Sequence, residues 1–84
     1  MIVAVRLFAR AKDLAGTDVV RVELPQGATV AQLRLGLSSL VPSLATLLDR
    51  SAIAVNDEFA EQNVQLKEKD EVALLPPVSG GQLR

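Results

Sequence analysis

Thr29-Val30-Ala31-Gln32-Leu33-Arg34-Leu35-Gly36-Leu37-Ser38-Ser39-Leu40-Val41-Pro42 carries the one long helical pattern in the chain. Thr29 and Gln32 stand at capping-box spacing, where the hydroxyl and the amide each satisfy a backbone N–H at a helix start, and Ala28 and Leu33 fit the accompanying hydrophobic staple. From there Val30, Leu33, Leu37, Leu40 and Val41 recur on one face, and Pro42 marks the end. Gly36 and Ser38-Ser39 weaken this helix on its own account, so its apolar stripe must be held against another layer.

The flanking sequence supplies that layer as strands. Upstream, Ile2 to Phe8 is apolar and β-branched, with Val3, Val5 and Leu7 on the core face and Ile2, Ala4, Arg6 and Phe8 on the other. Ala9 to Ala15 suits one or two helical turns ended by Gly16. Asp18 to Leu24 alternates, with Val20, Val22 and Leu24 set against Val19, Arg21 and Glu23, and Pro25-Gln26-Gly27 terminates it. Downstream, Leu44 to Leu48 reads as a short helical turn, Ala52 to Val55 as a strand and Asn56-Asp57-Glu58 as a turn whose side chains can bond back to the backbone. Phe59 to Gln65 is polar and irregular, with Val64 and Leu66 as core anchors. Lys67-Glu68-Lys69-Asp70 is a charged turn before the last strand, Glu71 to Leu75, in which Val72 and Leu74 point inward.

A hairpin, one main helix and two further strands give an α+β fold: a mixed sheet, first and last strands adjacent and parallel, with the helix packed on one face. This is the β-grasp, or ubiquitin-like, arrangement, expected over residues 1–75. Residues 76–81, Pro76-Pro77-Val78-Ser79-Gly80-Gly81, form a tail in which two prolines stop the strand and two glycines make a flexible arm without side chains; residues 82–84 extend past it.

Composition narrows the function. One domain of 84 residues has little room for a deep pocket of its own. Nearly half of its residues are apolar, yet Phe8 and Phe59 are the only aromatics, so Val, Leu, Ile and Ala build the core. With neither Cys nor His, disulfides, thiol nucleophiles, imidazole bases and nearly all transition-metal sites are excluded. The acidic residues show no paired-carboxylate spacing, and no catalytic residue is assigned. Scattered cations, a net charge of −1 and few aromatics argue against nucleic-acid binding. No apolar run approaches the roughly 20 residues needed to cross a bilayer, and Met1 to Arg6 lacks the basic start of a signal peptide, so the expected compartment is the cytoplasm.

Phe8 and Leu75 fall out of phase with the core sets of their strands. They share the outer sheet face with Ile2, Ala4, Ala52, Ala54 and Ala73, a surface more apolar than solvation requires. With Phe59, Phe8 and Leu75 make a candidate partner patch beside the tail; the competing reading is that Phe59 or a loop covers it. Arg10, Lys12, Arg34, Lys67 and Lys69 read as solvated surface charges, with pairing to acidic groups of a partner as the alternative.

Three stretches together resemble one family. They are Leu7-Phe8-Ala9-Arg10-Ala11-Lys12-Asp13-Leu14-Ala15-Gly16, Ala54-Val55-Asn56, and Asp70-Glu71-Val72-Ala73-Leu74-Leu75-Pro76-Pro77-Val78-Ser79-Gly80-Gly81. The chain is similar to the small, sulfur-carrying subunits of molybdopterin synthase, and the terminal segment is the specific part. The resemblance implies a carrier whose terminal glycine carboxylate is adenylated with ATP by an E1-like enzyme and converted to a thiocarboxylate. A large synthase subunit, in a heterotetramer, then takes up the tail and uses the sulfur to build the dithiolene of molybdopterin. Carried onto this sequence, Gly81 holds the sulfur, Gly80 lets the tail pass a tight channel, and no cofactor is permanently bound. The missing cysteine fits this: without a thiol side chain, a main-chain carboxyl group is the available carrier of sulfur.

The same activated carboxyl also serves a ubiquitin-like protein modifier joined through Gly81 to lysines, or a carrier feeding thiamine, cysteine or tRNA thiolation. Gln82-Leu83-Arg84 departs from the family pattern, which ends at the second glycine. An amide bond on Gly81 leaves no carboxylate to adenylate, so a processing protease is expected to remove the three residues; a cloning scar or a loss of activation are the alternatives.

Overall fold

The computed structural model describes residues 1–76. Strand β1 (Ile2–Leu7) leads into helix α1 (Ala9–Ala15), strand β2 (Val19–Glu23) and helix α2 (Val30–Leu40). A 3-10 turn at Pro42–Leu44 runs into α3 (Ala45–Leu48), and β3 (Ala52–Val55), β4 (Glu58–Phe59) and β5 (Val72–Leu75) follow. The strands form one mixed sheet in the order β2-β1-β5-β3-β4. β1 and β5 run parallel at its centre with Val5 against Val72 and Leu7 against Leu74, and the other neighbours are antiparallel. This is the expected β-grasp topology.

Alternation assigns the faces. Val3, Val5, Leu7, Val22, Leu24, Ile53, Val72 and Leu74 are buried on the inner side, against Val30, Leu33 and Leu37 of α2. The capping box is formed: Gln32 N donates to Thr29 Oγ1, and Thr29 N donates to Gln32 Oε1 at 2.9 Å. Ala28 and Leu33, the staple pair, are both buried. Gly16 closes α1 with φ +74°, its N–H donating to Lys12 O, as the sequence predicts.

Two expected core residues are not in the core. Leu40 is 56 % exposed, because it is the last residue of α2 on the margin of the stripe, and beyond Pro42 the chain delivers Leu44 and Leu48 to the core instead. Val64 is 38 % exposed; it is anchored through its backbone, whose carbonyl accepts from Val30 N at 2.9 Å. β4, a two-residue strand pairing Phe59 with Ala54, takes Glu58 from the expected turn and Phe59 from the segment read as irregular. Asn56 and Asp57, both at positive φ, make the turn that brings it back.

Arg34 is neither a solvated charge nor a partner contact. Its guanidinium straps α2 to the start of β3, Nη1 donating to Leu48 O and Nη2 to Ser51 O, each at 2.7 Å. The buried Ser51 hydroxyl donates to Leu47 O at 2.7 Å, which fixes the same corner. Asp70 organises the charged turn in a similar way. Its carboxylate accepts from Lys67 N and Asn56 Nδ2, while Asn56 Oδ1 accepts from Glu71 N. The first residue before β5 is thereby tied to the end of β3.

Gly36 marks the closest approach of helix and sheet, since a Cβ there would lie 2.8 Å from Val22 Cγ1. Gly36→Ala is therefore expected to lower stability by about 1–2 kcal/mol despite its better helix propensity. In a Val22→Ala background the same change should turn neutral or stabilising, as read by urea unfolding. Arg34→Met leaves Leu48 O and Ser51 O without their donors and should cost about 2 kcal/mol in the same assay, with Arg34→Lys recovering part of it.

Candidate functional site

The helices occupy one face of the sheet, so the sequence-predicted patch falls on the other. Cross-strand register arranges that outer face in rows. One row runs Val19, Arg6, Ala73, Ala54 and Phe59 across all five strands. The next contains Leu75 and Ala52, which are direct partners. Continuing the parallel register of Leu7 and Leu74 by one residue brings Phe8 beside Leu75. The sequence-predicted trio thus lies on one face: Phe8 and Leu75 in one row, Phe59 in the next, at the far edge.

Their exposure separates the two readings of the patch. Phe59 is 79 % exposed and Phe8 41 % exposed, and Leu75 is half-buried. Among the described residues no loop folds over either ring. Phe59 faces Ala54 across the sheet, and Ala54 is buried whereas Ala52 and Ala73 stay half-buried. Among the described residues Ala54 is therefore the one covered member of this face.

Phe8 is presented by the junction that follows β1. It is extended, at φ −132° and ψ 156°, and its carbonyl accepts from Ala11 N at 3.1 Å as the start of α1. Ala9 adopts φ +52°, a left-handed value that costs a residue with a Cβ about 1 kcal/mol or more. The chain turns there away from the sheet plane, which leaves the Phe8 ring at the end of the open face. Pro76, the first tail residue, follows Leu75 directly. Pro77, Val78, Ser79, Gly80, Gly81 and the extension 82–84 lie outside the described residues.

Arg6 belongs to this face as well. Exposed, and set between Val19 and Ala73 in the longer row, it places a cation among apolar neighbours. Its strand parity already put it there, beside Ala4 and Phe8, although the apolar residues alone defined the sequence-predicted patch. Arg10 and Lys12, on α1, and Lys67 and Lys69, before β5, are exposed.

Among the described residues no group of three His, Asp or Glu side chains could hold a metal ion. A depression of about 520 Å³ between α2 and α3, lined by Arg34, Leu35, Ala45, Leu48, Asp49 and Gln62, lies on the helical side. Also among the described residues, no helix is long and apolar enough to cross a membrane.

Comparison with known proteins gives this geometry a family. Residues 5–81 match the model of the ThiS family. A relative named molybdopterin synthase sulfur carrier subunit, from Dictyostelium discoideum, is 36 % identical over 78 residues, spanning 89 % of this chain and 91 % of its own. The crystal structure of SAMP1 from Haloferax volcanii superposes with a TM-score of 0.86 at 31 % identity, covering 96 % of this chain and 100 % of that one. A chain in the complex of subunits 1 and 2 of molybdopterin-converting factor from Helicobacter pylori gives 0.68 at 30 % identity, with 96 % and 100 % covered. With the family model spanning nearly the whole sequence and relatives above 30 % identity over almost their full lengths, the chain belongs to the ThiS family.

Proposed function

We propose that this protein is the sulfur carrier of a molybdopterin synthase, delivering sulfur as a thiocarboxylate on Gly81. The observation that carries the reading is the near-complete match to proteins named molybdopterin synthase sulfur carrier subunit, joined to a fold that puts the tail's first residue beside an open apolar face. The division of labour follows from the residues. The chain has no Cys or His, and in this reading the chemistry resides in the main-chain carboxyl of Gly81 and in partner enzymes.

In the proposed sequence a protease first removes Gln82-Leu83-Arg84, freeing the carboxylate. An E1-like enzyme joins it to AMP from ATP, releasing pyrophosphate. Hydrosulfide, as the sulfur donor, then attacks the acyl carbon, the bond from that carbon to the AMP oxygen breaks, AMP leaves, and the thiocarboxylate remains. Glycine at 80 and 81 lets the tail enter a narrow channel of the large synthase subunit, where a bulkier side chain would clash. Phe8, Phe59 and Leu75 dock on that subunit, in a heterotetramer. The use of ATP is in keeping with a cytoplasmic site for these steps.

A second reading is favoured by a specific likeness. The fold is close to that of a small archaeal modifier protein, at a TM-score of 0.84, and the same activated Gly81 would then be joined to lysines. Lysines carrying a Gly-Gly remnant in the native cells would select this reading. Co-purification with a large synthase subunit would select the first.

The chain ending at Gly81, given an activating enzyme, ATP and a sulfur donor, is expected to gain the mass of an oxygen-to-sulfur exchange, while the full chain stays unchanged. If the full chain gains that mass, processing is not required. Phe8→Asp should weaken binding to the large subunit about ten-fold or more, since it puts a charge into an apolar contact. Unchanged affinity in titration calorimetry would remove Phe8 from the docking face.

A further inference from the structure

We propose that β2 pairs edge to edge with the β2 of a second copy of this chain, in the antiparallel register that sets Arg21 opposite Glu23. β2 is one end of the sheet, with β1 on one side only. Its hydrogen bonds to β1 show which backbone groups remain. Leu24 N donates to Met1 O, Met1 N to Leu24 O, and Leu7 N to Asp18 O. In an antiparallel ladder the even-numbered residues of β2 therefore aim their N–H and C=O groups at β1, and Val19, Arg21 and Glu23 aim theirs outward.

Val19 is already satisfied within the chain. The Thr17 hydroxyl donates to Val19 O at 3.2 Å and accepts from Val19 N at 3.4 Å. Beyond Glu23, Pro25 has no N–H to offer. The open edge thus reduces to Arg21 and Glu23, and one antiparallel register uses both of them: Arg21 against Glu23 of the second copy, and the reverse, with the two Val22 residues on the two-fold axis. Each Arg21–Glu23 pair then exchanges two backbone N–H···O bonds.

Charge selects the same register. Arg21 and Glu23 are exposed on the outer face, and their neighbours across β1 are Ala4 and Ile2, which cannot answer a charge. In the proposed register each guanidinium lies directly across from a carboxylate, a favourable cross-strand pair made twice by symmetry. A slide of two residues, the next that keeps the outward-facing groups opposite one another, would place Arg21 against Arg21 and call on Val19. Val22 stays buried toward its own helix in either case. The pairing joins the two open faces side by side and leaves the opposite edge, with Phe59, untouched. It is independent of the sulfur-carrier reading.

Sedimentation equilibrium of the full chain, from micromolar to millimolar concentration, tests it. A monomer–dimer equilibrium is expected, weakened by added salt. Arg21→Glu and Glu23→Arg should each lower the association constant by about ten-fold or more, because each change sets like charges opposite one another in both symmetric pairs. The double variant Arg21→Glu/Glu23→Arg should restore it, and that recovery excludes misfolding as the cause of the single-variant losses. Amide protons of Arg21 and Glu23 should exchange more slowly as concentration rises. A monomer at every concentration, or a double variant no better than the single ones, overturns the proposal; a monomer whose β2 amides are protected only by an added extended peptide assigns the edge to a strand of another protein.

Discussion

The parallel pairing of β1 with β5 is the contact on which the rest of the molecule depends. It joins strands from opposite ends of the described chain, so the whole of α2 and the β3–β4 hairpin are enclosed by it. Such a pairing meets its loop-closure cost before it returns any contact energy, and it becomes favourable only when both strands are covered. The cover is α2, whose Val30, Leu33 and Leu37 meet the inner row of Val5, Val72, Leu7, Leu74 and Ile53. The same pairing fixes where the chain leaves the sheet. Leu75 ends β5 between Phe8 and Ala52, so Pro76 emerges at the margin of the open face, at a position set by the two most central strands.

The polar contacts serve that pairing by holding its ends in register. Asn56 and Asp70 form a lock at the start of β5, through side-chain bonds to Glu71 N and Lys67 N. At the other end of β3, Arg34 and Ser51 secure the corner where α3 gives way to the strand. Each of these side chains bonds to main-chain atoms, which would otherwise be unpaired where regular structure stops. A strand of four residues, as β3 and β5 both are, has few ladder bonds of its own. Fixing its ends therefore decides its register, and with it the rows on the outer face.

What could be read from the residues was what periodicity encodes. Alternation in three strands and the helical stripe gave the core, the faces and the parallel closure, because each inward side chain has a fixed period to follow. Leu40 and Val64 obeyed the hydrophobic rule and still lie outside the core, since a helix end and a loop are placed by backbone bonds that leave no periodic trace. β4 was hidden for a related reason: two residues cannot display a period, and the turn that makes it needs Asn56 and Asp57 at positive φ. Arg34 was unreadable because its partners are carbonyls, present in every residue and therefore silent in a sequence. The outer patch was legible through phase, as Phe8 and Leu75 stand out of step with their strands, and only the three-dimensional register could add that Phe59 shields Ala54 and leaves the rest open. The Gly80–Gly81 tail lies outside the described residues, and its reading rests on residue types and family likeness alone.

The open face constrains any partner more tightly than its apolar area suggests. Covering both rows buries Arg6 along with Phe8, Leu75 and Phe59, because Arg6 lies inside the longer row, between Val19 and Ala73. Arginine does not give up its proton, and a desolvated guanidinium without an acceptor costs several kcal/mol, about the gain from burying two large apolar side chains. A flat apolar surface would lose on Arg6 much of what it gained on the aromatic rings. A partner that meets the rings with apolar contacts and Arg6 with a carboxylate or a cluster of carbonyls keeps both contributions. A cation set between Val19 and Ala73 would thus make an apolar face selective, and it also opposes face-to-face pairing of two such sheets, which would bring one Arg6 toward another.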